Sequence, residues 1–201
     1  MPERPLSDAE LLGRAAAGDE GAFTDLYRRR QAGLYRFAFQ MSGSGAVAED
    51  VVQEVFLALI RGTARYDAAR GSVAAFLYGI ARNKVLRALE CDAGVDSAEG
   101  SDFVAVGDLA GDVVRNRLAE TVRDAVLALP VHYREAVVLC DLQELEYADA
   151  AEALGCAVGT VRSRLHRART LLAERLRGVH GPVPAAAGLV RCTCRSGNWK
   201  A

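Results

Sequence analysis

The chain has 201 residues, a quarter of them charged and half of them apolar, with a formal net charge of -1. That is enough chain for one large domain or two small ones, and the balance is that of a soluble globular protein. No apolar run reaches the ~20 residues that span a bilayer, and the charged N-terminus lacks a signal-peptide core. These features predict a cytoplasmic protein without membrane insertion. The net charge hides an uneven distribution, in which all the basic residues but Lys84 and Lys200 are arginine.

Residues 8–89 carry nearly continuous helical periodicity, with Gly and Ser confined to breaks near 42–45 and 71–72. Within the run Ala48 to Ile60, Val51, Val52, Val55 and Leu59 fall on one apolar face. Asp50, Gln53, Glu54 and Leu57 gather opposite them. An acidic, amide-bearing face with one exposed leucine suits a basic helical partner, and a solvated surface helix has the same pattern.

The stretch Arg61 to Ser72 is basic and holds Arg65 and Tyr66. It leads into a helix whose buried stripe is Val73, Phe76, Leu77, Ile80 and Ala81. Arg82, Asn83, Lys84 and Arg87 are left on the polar side. Basic groups neutralise phosphates, and aromatic or amide groups stack on or bond an unstacked base. Tyr66 and Tyr78 would serve equally well as ordinary packing residues.

These segments, Ala48-Glu-Asp-Val-Val-Gln-Glu-Val-Phe-Leu, Arg65-Tyr-Asp, Gly71-Ser and Phe76-Leu-Tyr-Gly-Ile-Ala-Arg-Asn, closely resemble the second region of extracytoplasmic-function sigma factors, a group of the bacterial sigma-70 family. The resemblance implies that Asp50, Gln53, Glu54 and Leu57 dock on the clamp helices of the polymerase β′ subunit. It further implies that Arg61, Arg65, Tyr66, Tyr78, Arg82, Asn83 and Lys84 bind the melted non-template strand of the minus-ten element. Two positions depart from the pattern. Phe76 stands where the family often has Trp, a conservative packing change. Arg87 stands where Asp is usual, so base preference is not carried across.

Residues 90–114 contain seven acidic side chains and no basic one. This composition predicts a flexible linker over 90–116. In the sigma-factor resemblance the connector threads the polymerase channels, where an acidic strand would mimic RNA. On composition alone, an acidic linker kept soluble by its charge is an equal alternative.

Helical periodicity resumes near 117 and runs to 177, broken at Pro130. A helix is expected to end near Leu154, with Gly155 as the turn and a new helix from about Val158, a helix-turn-helix pair. Ala150, Leu154, Val158, Val161 and Leu165 have the spacing of its small core. On the last helix Val161, Leu165, Ala168, Leu172 and Leu176 make the buried stripe. Ser163, His166 and Arg167 lie opposite, flanked by Arg162 and Arg164. From Arg162 to Arg177 there are six arginines and one acid, Glu174. An arginine-rich exposed face suits the major groove, where Arg takes guanine bidentately.

This block is similar to the fourth region of the same family, whose Val-Gly-Thr-Val-Arg-Ser-Arg run reads the duplex minus-thirty-five element. The resemblance assigns base reading to Arg162, Ser163, His166 and Arg167, and a phosphate contact to Arg164. Ala157 replaces a frequent Pro at the helix start.

After Gly178 a flexible tail is expected to 201, carrying Cys192 and Cys194. Two thiols are too few for a closed zinc site, so a metal site there is speculative and no cofactor is expected. An odd, scattered set of cysteines is not a secreted disulfide framework.

The expected fold class is therefore all-α: two small helical domains joined by a flexible acidic linker, the second a helix-turn-helix domain. No phosphate loop, His-Glu-x-x-His or nucleophile elbow is present, which sets an enzyme aside. An ordinary DNA-binding regulator would explain the helix-turn-helix but not the acidic face around Asp50. The sigma-factor resemblance implies core RNA polymerase, through its β′ clamp and β flap, promoter DNA and an anti-sigma factor as partners, in a stress or envelope response.

Overall fold

The structure is a computed structural model that describes residues 4–62, 66–92 and 111–179. The described residues are predominantly helical, with no strand among them. Helix α1 (Asp8–Ala16) starts on a reciprocal cap. Ser7 Oγ accepts the Glu10 amide while the Ser7 amide donates to Glu10 Oε2 at 2.7 Å. The Ser7 amide, together with the Ser7 hydroxyl that donates to the same Oε2 at 2.8 Å, holds the Glu10 carboxyl down at a pKa of about 2. Helix α2 (Glu20–Ser42) is capped by Asp19, whose Oδ1 accepts the Ala22 amide at 3.0 Å. Asp8 then ties the two helices by pairing with Arg29 and Arg30.

Helices α3 (Gly45–Gly62) and α4 (Val73–Asp92) complete the first domain. Ser72 Oγ caps α4 by accepting the Ala75 amide at 3.1 Å. Leu26, Leu34, Phe37 and Met41 of α2 meet Val55 and Leu59 of α3 and Leu77 and Val85 of α4, all buried. Burying each such side chain is worth roughly 1.5–3 kcal/mol, so this interior stabilises the domain far more than its exposed ion pairs do. The expected stripes on α3 and α4 are found, except that Phe76 and Ile80 are only half-buried.

Helix α5 (Gly111–Leu127) begins inside the stretch expected to be linker, and α4 runs on to Asp92 at its other end. Residues 93–110 lie outside the described residues, as do Arg65 and the tail with Cys192 and Cys194. Pro130 starts α6 (Val131–Val137), which continues directly into a π-helical turn, Val138–Leu142. Helix α7 (Tyr147–Leu154) ends on Gly155 at φ +63°, a left-handed conformation that glycine takes without a side-chain clash. Helix α8 (Val158–Val179) follows. Ala150, Leu154, Val161, Leu165 and Ala168 are buried as the helix-turn-helix spacing requires, while Val158 is half-buried.

The two helical domains pack on each other, and their buried residues form one continuous core. Arg134 donates to Met41 O at the end of α2 and to Leu127 and Leu129 O at the end of α5. A guanidinium at two helix C-termini faces the negative ends of both dipoles. Gly33 lets the domains' polar seam form beside α2, because a Cβ there would come within 2.8 Å of Tyr78 Oη.

Candidate polymerase and nucleic-acid interface

On α3 the apolar face is buried in the domain, which forces Asp50, Gln53 and Glu54 outward into solvent. Leu57 is half-buried instead of fully exposed. It lines a groove of about 890 Å³ between α2 and α3, with Tyr27, Tyr35, Val52, Gln53 and Phe56. Ile60 closes one end of it and is 64% exposed, the most exposed of the large apolar side chains there. Neither Ile60 nor Tyr27 was expected in this site. Ile60 lies three residues after Leu57 and seven after Gln53, spacing that puts all three on one helix face.

Glu54 and Lys84 form an ion pair across α3 and α4. The Lys84 ammonium holds the Glu54 carboxyl below the usual carboxylate range. Thus one residue from the expected docking set is already joined to one from the expected strand-binding set.

The expected minus-ten residues divide sharply. Arg61 and Asn83 are exposed. Tyr66 is half-buried, donates its hydroxyl to Gly71 O at 3.2 Å and packs its ring 5.5 Å from that of Phe76. Tyr78 differs from the expectation of an accessible aromatic. It is 6% exposed, edge-on to Phe37 at 5.4 Å, and its hydroxyl donates to Gln143 Oε1 of the other domain at 3.3 Å. Burial pushes its phenol pKa up. In this arrangement Tyr78 has no free ring face to offer a base.

Arg82 is also engaged, its Nε donating to Glu135 Oε1 at 2.6 Å. Glu135 is the buried charged residue of the described core, and sequence periodicity alone gives no sign of it. Between the domains a cleft of about 350 Å³ is lined by Tyr66, Arg70, Phe76, Arg82 and Asn83 on one side and Glu152 and Leu154 on the other.

Helix α8 presents the opposite situation. Val161, Leu165 and Ala168 are buried against α6 and α7, so Arg162, Ser163, His166 and Arg167 point into solvent. Arg164 is half-buried. The Arg162 guanidinium lies 5.7 Å above the Tyr147 ring, which keeps its charge close to the turn. Arg169 is not part of this face: it pairs with Asp141 of the π-helical turn through bonds of 2.6 and 3.0 Å. Among the described residues no cluster of His, Cys, Asp and Glu is built to hold a metal ion.

The sigma-70 region 2 family matches residues 26–93, and sigma-70 region 4 matches residues 119–172. The chain is 40% identical over 172 residues to the ECF RNA polymerase sigma factor SigM of Mycobacterium tuberculosis (strain ATCC 25618 / H37Rv), covering 85% of each. It is 34% identical over 172 residues to the ECF RNA polymerase sigma factor SigW of Bacillus subtilis (strain 168), covering 80% of this chain and 91% of that one. The chain belongs to the ECF sigma factors. Members of that family are transcription initiation factors and not enzymes. The fold of this sigma factor is similar to that of CnrH in complex with the cytosolic domain of CnrY, with a TM-score of 0.67, 27% identity, and coverage of 85% of this chain and 97% of that one. It is also similar to the sigma factor RpoE of Bartonella quintana, solved with the anti-sigma factor NepR, at a TM-score of 0.60, 26% identity, and coverage of 77% of this chain and 96% of that one. No described helix of this sigma factor is long and apolar enough to cross a membrane.

Proposed function

We propose that this sigma factor carries core RNA polymerase to promoters bearing a two-part upstream element, acting in the cytoplasm. Residues 8–89 form the core-binding and minus-ten domain, residues 117–177 the minus-thirty-five domain, and residues 90–116 the connector. Asp50, Gln53, Glu54 and Leu57, with Ile60, dock on the β′ clamp, and the second domain meets the β flap. Arg61, Arg65, Tyr66, Arg82, Asn83 and Lys84 receive the melted strand once the cleft between the domains is open. Arg162, Ser163, His166 and Arg167 read the upstream major groove, and Arg164 neutralises a phosphate. Polymerase itself performs the phosphodiester chemistry.

The observation that carries this reading is the exposed arginine face of α8 on the same chain as the acidic face and apolar groove of α3. A plain helix-turn-helix regulator has no use for the second feature. An anti-sigma partner is part of the proposal, supported by the two similar structures, and a role in a stress or envelope response is proposed with it. Run-off transcription from a genomic promoter library, with bacterial core polymerase and with or without this protein, tests the whole. New transcripts sharing a two-part upstream motif are the expected result. Absence of both transcripts and core binding would refute it.

A further inference from the structure

Helix α2 carries a row of arginines interrupted by a glycine. Arg29, Gly33 and Arg36 recur at helical spacing, with Arg30 beside them, and they form one side of a pocket of about 420 Å³. Tyr78 of α4, with Gln143 and Glu144 of the second domain, stands across from them. Gly33 keeps the middle of the row open. A Cβ there would come within 2.8 Å of Tyr78 Oη, 3.8 Å of Gln143 Oε1 and 4.0 Å of a terminal nitrogen of Arg36. A hydroxyl, an amide and a guanidinium thus converge on one small space.

The arginines are held ready and are only partly used. Asp8 takes one terminal nitrogen of Arg29, and Nε with a terminal nitrogen of Arg30. Leu6 O accepts the same Arg29 nitrogen at 2.9 Å. The other nitrogens of both residues, and the whole Arg36 guanidinium, have no partner among the described residues. Side chains already pinned in this way lose less freedom when a ligand arrives. Asp8 is not on the lining, and Glu144, exposed, is the acid that is. Arg29 and Arg36 are about 10 Å apart along the helix axis, seven residues at the α-helical rise, a span that suits a short chain of phosphates better than a single one. Guanidinium groups take phosphate oxygens in pairs, and a pocket of this size between two domains is of the kind that holds small ligands. We infer that this pocket binds a small oligophosphate, the phosphate chain of a nucleotide or its inorganic equivalent. Arg29, Arg30 and Arg36 hold the phosphates, the Tyr78 hydroxyl lies at the floor, and Glu144 limits the affinity. The inference does not draw on the promoter or polymerase roles.

The test titrates inorganic triphosphate into the full-length protein by calorimetry at fixed ionic strength, with sulfate as the control anion. Saturable binding of triphosphate is expected, with sulfate weaker by about tenfold or more. Arg36→Gln should weaken triphosphate binding about tenfold, because a charged donor is lost from the site. Glu144→Gln should tighten it about threefold, because the acid on the lining is neutralised. Damage to the fold would weaken binding in both variants, so the opposite signs separate a site from a folding defect. Arg28→Gln makes the same charge change at an exposed position of α2 outside the pocket, and should alter affinity by less than about twofold. A nucleoside triphosphate that binds more tightly than inorganic triphosphate assigns the site to nucleotides, and equal affinity assigns it to the phosphate chain alone. The absence of saturable binding, or equal affinity in the wild type and Arg36→Gln, would overturn the proposal. Displacement of triphosphate by a mixed-sequence single-stranded oligonucleotide at equal phosphate concentration would overturn it too, by making the row a nucleic-acid surface.

Discussion

Helices α4 and α8 are built alike, each with a buried apolar stripe and basic groups opposite it, yet they stand in different conditions. On α8 the groups Arg162, Ser163, His166 and Arg167 are exposed, and Arg162 also lies over the Tyr147 ring of α7. On α4 Arg82 is held by Glu135, Lys84 by Glu54, and the nearby Tyr78 is buried. The difference teaches that a basic helix face is a site only in relation to what lies across from it. The basic groups of α8 are already outward, whereas those of α4 are held by carboxylates from other helices.

The covered side is where the largest effect is expected. Glu135→Ala leaves Arg82 without its partner at a buried contact and should cost about 3 kcal/mol of stability, read as a fall in the urea midpoint. A change of a few tenths would mean the pair is solvated and the covered character of α4 is overstated. On the open side, Arg167→Ala should lower promoter-specific transcription about tenfold or more, leaving core binding intact, as expected for loss of a base contact worth about 1–3 kcal/mol. Equal loss of both activities would remove Arg167 from the reading face. Arg164→Ala should act more gently, weakening promoter binding uniformly across sequences and reducing the log–log salt slope by about one. A change in sequence preference would make Arg164 a reader instead.

The smallest effect is chemical. Burial, with Asp141 beside it, pushes the Cys140 thiol up to about 11. A raised thiol pKa keeps the group protonated, hence unreactive, at pH values well below 11. At pH 8 iodoacetamide should therefore label the exposed Cys91 well before Cys140, as peptide mapping by mass spectrometry would record. Equal rates would show that the second domain opens readily around its π-helical turn.

Much of α8 was legible because everything that defines it is local. Val161, Leu165 and Ala168 recur at helical spacing, and the arginines between them have nowhere to go but outward. The helix-turn-helix was legible for the same reason, through Gly155 and the spacing of Ala150 and Leu154. By contrast, Tyr78 is buried by Phe37 and by Gln143, 65 residues away, and Arg82 is claimed by Glu135, 53 residues away. Periodicity places these residues on a face but says nothing of what another domain brings to it. The groove beside α3 was half legible: Leu57 and Gln53 were found, but Tyr27 comes from a different helix. The early start of α5 at Gly111 escaped because acidic and glycine content reads as linker even where the backbone turns helical.

The π-helical turn at Val138–Leu142 has a consequence for how such a molecule could change over generations. Its closing bond runs from the Gln143 amide to Val138 O, five residues back, so it holds one residue more than an α-helical turn would. Removing that residue would wind the segment back to ordinary pitch and carry Gln143 on the order of 100° around the axis, away from Tyr78 and Gln40. The Arg169–Asp141 grip would be disturbed by the same step. A one-codon deletion would thus loosen the seam between the domains without altering any side chain on α4 or on the arginine face of α8. Chain length at this one turn is an inherited setting for how firmly the two domains are joined.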